Sequence, residues 1–323
     1  MKRMLFLLGA TCSVAILSGD ASAQLFRDQM IDAGAWGINQ SSSDNTATFA
    51  YDYSADGIPE APNSQGGDAS TQGVKLESNN TDFLDASGEF MTLYPLGQNF
   101  TGKYQLKFDA WQNYSTFDRE NDGGAGTTEF LGGGIGYDNV SADVGSGHVL
   151  ISTSEGGSGS DYRGFKGTTF IDHADMASGN RNATCCGPTG QYETLFPGGS
   201  GVPPASQGQT GTPNESRAGS SSFQWFTHTI SVDGNEVRHQ MTNKDGLRRN
   251  ILAYDTTVLD AANVVPTDGN IMLFYADFFS SVSPSAGVTF GIVDNVSVGV
   301  PEPASILMLG MGSACLTLVR RRR

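Results

Sequence analysis

Cysteine, histidine and basic residues are scarce in this chain. It has four cysteines and four histidines in 323 residues, and 19 Lys and Arg against 34 Asp and Glu. Cys12 and Cys315 lie in apolar end segments, which leaves the adjacent Cys185 and Cys186. Neighbours in sequence cannot staple distant segments, so a disulfide framework is excluded, while a vicinal disulfide, an intermolecular bond and a thiol pair stay open. His148, His173, His228 and His239 show no His-x-x-x-His spacing and no Glu-bearing zinc helix, and Asp172-His173-x-Asp175 reads as a solvated turn. There is no Gly-x-Ser-x-Gly elbow and no phosphate loop ending in Lys-Ser or Lys-Thr. Nucleic acid is excluded as a partner, because binding it needs a basic surface to displace condensed counterions.

The two ends carry what the middle lacks, long apolar runs. Lys2 and Arg3 precede an apolar stretch over 4–17, and Ala21-Ser22-Ala23 offers a small-x-small exit, the pattern of a secretory signal peptide with Gln24 as the mature start. The Sec translocon and signal peptidase are the expected partners at this end. At the other end Val300-Pro301-Glu302-Pro303 leads into an apolar run over 304–319 and then Arg320, Arg321, Arg322 and Arg323. Such a run can enter a bilayer as a transmembrane helix while the arginines stay on the cytoplasmic side.

Residues 300–323 resemble the PEP-CTERM sorting signal of exopolysaccharide-producing bacteria. Triplet, short glycine-containing span and arginine cluster are present in that order. The resemblance implies recognition by an exosortase that cuts near Pro301, Glu302 and Pro303, and an exported protein, transiently membrane-anchored, at the cell surface or beyond. Without both ends the chain keeps 13 basic and 32 acidic residues, a net charge of −19. That surface suits solubility outside the cell and offers carboxylates to hard cations such as calcium.

Between the ends the pattern is all-β. Apolar and polar residues alternate through Tyr104-Gln105-Leu106-Lys107-Phe108-Asp109-Ala110-Trp111, through 226–232 and through 288–298. Asp233-Gly234 marks a hairpin, and Asp245-Gly246 repeats the device. Gly132-Gly133-Gly134-Ile135-Gly136 reads as a bent or bulged strand. Residues 177–222 are rich in Gly, Ser, Pro, Asn and Thr and read as a long surface excursion from a single sandwich domain over 24–299.

Gln224-Trp225-Phe226-Thr227-His228-Thr229-Ile230-Ser231-Val232-Asp233-Gly234-Asn235 resembles the tryptophan strand and hairpin of concanavalin-like and laminin-G-like lectin domains. Ile292-Val293-Asp294-Asn295-Val296-Ser297-Val298 is similar to the closing strand of those sandwiches and of jelly-roll carbohydrate-binding modules. Asp161-Tyr162-Arg163 and Gly269-Asn270-Ile271-Met272-Leu273 complete the order. The resemblance implies an antiparallel β-sandwich of jelly-roll, concanavalin-like type, and says more about architecture than about ligand.

Asp118, Glu120, Asp122 and Glu129, with Gly123, fit positions one, three, five, twelve and six of a calcium loop. Glu120 stands where Asp or Asn is usual, and the flanks read as strands. The same carboxylates on one strand would suit a glucanase, but the interleaved Arg119 and Asn121 describe a loop, not a strand with a buried face. Trp36, Trp111 and Trp225, with Tyr94, Tyr137 and Tyr162, supply flat faces for sugar stacking, or alternatively for a core. The resulting expectation is a non-catalytic structural or adhesive protein of the extracellular polysaccharide matrix. A carbohydrate-binding module is the alternative, and a glycan hydrolase comes third.

Overall fold

Period-two alternation, turn glycines and β-branched residues recur along the chain, and they form two antiparallel sheets. The computed structural model describes residues 22–64, 71–79, 88–121, 126–157, 160–177, 190–279, 282 and 284–301. The expected signal helix, Asp122, Cys185, Cys186, and the tail from Glu302 through Pro303 to Arg320, Arg321, Arg322 and Arg323 lie outside the described residues. Pro301 is described as the last residue of a strand. Among the described residues no helix is long and apolar enough to cross a membrane.

In chain order the strands are β1 (Ser22–Asp28), β2 (Trp36–Gln40), β3 (Thr46–Asp52), β4 (Gln72–Glu77), β5 (Glu89–Pro95), β6 (Tyr104–Asn113), β7 (Glu129–Tyr137), β8 (His148–Thr153), β9 (Tyr162–Lys166), β10 (Thr169–Ile171), β11 (Phe226–Asp233), β12 (Glu236–Asn243), β13 (Arg248–Asp255), β14 (Asn270–Asp277) and β15 (Phe290–Pro301). One sheet runs β13-β12-β11-β6-β15-β4-β3, with β1 also paired to β15, and the other runs β10-β9-β8-β7-β14-β5-β2. Gln24–Val300 form one compact unit.

The alternation sets two faces on each strand. On β14, Ile271, Leu273 and Tyr275 enter the large core between the sheets with Leu106 and Leu131. Met272, Phe274 and Ala276 point to the opposite face and join Phe130, Ile151 and Phe165. Sheet contact is close at Gly133, where an added Cβ would stand 2.9 Å from the Phe108 ring of the facing sheet. A side chain there would push the sheets apart. Gly136, at φ 71°, is the extra residue where β7 slips register against Asn270 and Ile271, so the glycine run does mark a bulged strand.

The hairpin between β11 and β12 is present, with its two-residue loop at Gly234-Asn235, one residue later than the sequence suggested, because Asp233 still pairs with Glu236. The excursion over 177–222 is mostly irregular yet well anchored in its described part. Its short helix α2 (Gln191–Leu195) lays Tyr192 flat on Tyr162, ring centroids 3.7 Å apart, and Leu195 and Phe196 are fully buried. Three apolar side chains spaced along a polar stretch are enough to dock it.

Candidate functional site

A groove of ≈ 400 Å³ lies where three irregular segments meet: Ser115 and Phe117 after β6, Gln207 to Thr210 from the excursion, and Ser285, Gly287 and Val288 before β15. Phe117 rides on a second short helix, α1 (Thr116–Asn121). Ser115 starts that helix, since its Oγ accepts from Asp118 N at 3.2 Å while its carbonyl accepts from Arg119 N at 3.0 Å. The ring is 46% exposed, an aromatic face left open at a groove.

The groove wall is a chain of side-chain amides. Buried Trp111 donates its Nε1 to Asn113 Oδ1 at 2.9 Å, and Asn113 Nδ2 donates to Gln207 Oε1 at 2.7 Å. Gln207 Oε1 also accepts from Gln209 Nε2 at 2.9 Å, and Gln209 Oε1 accepts from Thr116 N at 2.8 Å. Each carboxamide is therefore held in one orientation before any ligand arrives. The lining holds no ionisable side chain. Neutral, fixed donors and acceptors beside an aromatic face match a polyhydroxylated ligand.

Behind the groove, α1 is tied down by charge. Arg119 Nε stands 2.5 Å from Glu155 Oε2, and Arg217 holds Glu120 through two oxygens at 2.8 and 3.0 Å. Burial nonetheless keeps the Glu155 carboxyl above the ordinary range, with Arg119 opposing the shift.

These positions correct the calcium loop. Its spacing presupposes an open turn, but Thr116–Asn121 is helical, and residues two apart on a helix diverge by about 200°. Asp118 is buried, Glu120 is engaged by Arg217, and Glu129 opens β7 in the interior. Among the described residues no group of three or more His, Cys, Asp or Glu side chains is gathered closely enough to hold a metal ion. The stacking expectation is corrected too. Trp36, Trp111 and Trp225 are 3–4% exposed, and Trp111 meets Trp225 edge-on at 5.8 Å in a cluster outside the β6 sheet. Trp225 Nε1 donates to Pro59 O at 2.6 Å. Tyr162 is spent on Tyr192, and Tyr137 on Tyr94.

Three histidines fill the core instead. His148 Nδ1 lies 2.8 Å from the Tyr254 hydroxyl, and His228 stacks on Phe108 at 4.9 Å. Burial pushes His148 down to about 4, and His228 and His239 to about 3. Phe117, Gln207 and Gln209 were missed by pattern reading, because no local spacing distinguishes a groove wall from an ordinary polar stretch.

Residues 299–323 match the family model of the PEP-CTERM protein-sorting motif, so the chain carries the sorting motif of exosortase-processed exported proteins. No curated protein matches the chain. Similar solved structures include the VIP36 exoplasmic/lumenal domain in a Ca²⁺/Man2-bound form, at 8% identity over 84% of each chain with a TM-score of 0.42. Peanut lectin with a 9mer peptide is 10% identical over 84% of this chain and 95% of its own, TM-score 0.37. The Lotus tetragonolobus seed lectin is 10% identical over 86% and 99%, TM-score 0.39.

Proposed function

We propose that this is an exported, surface-sorted, non-catalytic adhesive protein of the extracellular matrix that holds polysaccharide in the groove beside Phe117. The carrying observation is the groove itself: an open aromatic face with preset neutral amides and no acid–base pair. Catalysis of glycoside hydrolysis needs two carboxyl groups flanking a bond, and the lining supplies none. The Sec translocon and signal peptidase deliver the chain, and an exosortase acts near Pro301, Glu302 and Pro303.

The test is glycan binding by the purified chain, measured against an array of neutral and anionic polysaccharides. Phe117→Ala is expected to weaken binding about tenfold, the size of one lost aromatic contact of about 1.4 kcal/mol. Gln209→Ala, which frees Thr116 N, is expected to act in the same direction. Binding that ignores both changes would place the ligand elsewhere, and release of new reducing ends from any bound glycan would overturn the non-catalytic reading.

A further inference from the structure

Arg163 stands on β9, one strand in from the edge of its sheet. Tyr162, on the other phase of the strand, enters the core between the sheets, so Arg163 and Phe165 lie on the outer face. The register partner of Arg163 on β8 is Ile151, and Ile151 in turn faces Gly132 on β7. Gly132 adds no side chain to that row, which leaves the arginine room to reach across β8 toward β7. Its guanidinium stops over two rings, with Cζ 4.3 Å from the centroid of Phe130 and 4.7 Å from that of Phe278. Those rings meet edge to face at 5.0 Å, and Phe278 meets Phe90 in the same way at 5.1 Å. Nε donates to Ser160 O at 3.0 Å. Rings and carbonyl together fix the plane of the fork.

No carboxylate closes on this cation. Arg163 is partly buried, and among the described residues it forms no ion pair, whereas Arg119 and Arg217 each hold a glutamate. Asp161, itself 1% exposed, is the nearest acid to act on it and opposes the effect of burial on its charge without reaching ion-pair distance. Among the described residues the guanidinium's hydrogen bond is the one from Nε, so both Nη nitrogens keep their donors. A partly buried cation with unused donors is costly unless an anion meets it. Phe90 and Phe278 are also only partly buried, and Phe279 after them is 43% exposed. An incoming group therefore meets charged donors and aromatic surface together.

We propose that Arg163, with Phe278 and Phe90, binds a sugar ring that bears a carboxylate, the chemistry of a uronic-acid residue in an acidic polysaccharide. The planar fork matches the two oxygens of a carboxylate, and the rings beside it offer a surface to the apolar face of the sugar. None of these residues lines the groove beside Phe117, which has no ionisable side chain and suits neutral glycans. The site therefore adds a charged ligand class to the proposed matrix role and does not depend on the groove. With 34 acidic residues against 19 basic in the chain, the overall field repels a polyanion, so attraction has to come from a placed cation.

The experiment measures binding of a short oligogalacturonate to the full chain in detergent, with the fully methyl-esterified oligomer as the uncharged control. The acid is expected to bind, and the ester to bind at least about tenfold more weakly, the cost of losing a charge-assisted pair. Arg163→Gln should weaken the acid by a similar factor, and Arg163→Lys, which keeps the charge and loses the fork, should fall between. Phe117→Ala should leave acid binding unchanged while weakening a neutral glycan in the groove, so the two sites fail separately. No binding of the acid, equal binding of acid and ester, or binding indifferent to Arg163→Gln would each overturn the proposal. So would an acidic peptide or a sulfated oligomer of matched charge that binds as tightly as the uronate. If Arg163→Gln does not fold, phenylglyoxal on the unaltered chain decides: oligogalacturonate should slow modification of Arg163 and leave that of Arg238 unchanged. An Arg163 rate that the ligand does not alter overturns the proposal.

Discussion

Around α1, Glu155 and Glu120 each meet an arginine, whereas Asp277 on β14 and Glu129 on β7 meet none among the described residues. Both regions are acidic, and in both the carboxylates are shielded from water. The α1 region uses its charges to fasten a helix that presents Phe117 to a groove. In the β5-β14-β7 row burial instead holds the carboxyls of Glu129 and Asp277 above their ordinary range, Asp277 up to about 7, which favours their neutral forms. What a buried carboxylate does is therefore set by its neighbours across the fold.

The largest effect should come from breaking the comparison at its paired end. Arg119→Met leaves Glu155, 1% exposed, without its cation, and should cost about 3–5 kcal/mol in urea unfolding. A loss below about 1 kcal/mol would mean that the pairing is incidental. The buried histidines extend the comparison to cations. His148, His228 and His239 are neutral in the fold down to about pH 4, 3 and 3, while in the unfolded chain each takes a proton below about pH 6.5. The unfolded state binds more protons in that window, so stability is full above it and falls as the pH drops. Each histidine removes about 2 kcal/mol by pH 5. Asp294, held up to about 7 by burial, works in the opposite direction, losing its contribution as the pH rises through 7, so the histidine part is read as a difference. His228→Phe should lose about 2 kcal/mol less than the unaltered chain between pH 7 and pH 5. Equal losses would show that His228 is already solvated.

Smaller effects sharpen the contrast. Arg217→Met should cost about 1 kcal/mol or less, because that pair with Glu120 is partly open to water. Glu129→Gln should leave stability within about 1 kcal/mol of the unaltered chain, since burial already holds that carboxyl well above its ordinary range and the amide replaces a group disfavoured as an anion. A heavy loss there would show that the carboxyl is ionised and matched inside the fold.

Much of this was legible beforehand. The alternating segments around Tyr104, Phe226 and Phe290 are β6, β11 and β15, and the run of glycines around Gly133 is a bulged strand against Phe108. Less legible was the acidic segment at Asp118, where an open loop and a short helix share a composition and the Ser115 cap decides between them. The excursion looked unburied because Tyr192, Leu195 and Phe196 are few. Their weight comes from docking on Tyr162 and Phe226, which no local window contains.

By itself the sequence determined the sorting tail, the acidic balance and the two-sheet class, because targeting signals and period-two alternation are written in consecutive residues. Only the tertiary structure decided that Phe117 faces a groove walled by Gln207 and Gln209, and that Glu89, Asp277 and Glu129 share one row. Those neighbours lie 90 to nearly 190 positions apart, and strand register and loop docking are set by burial across the whole sandwich.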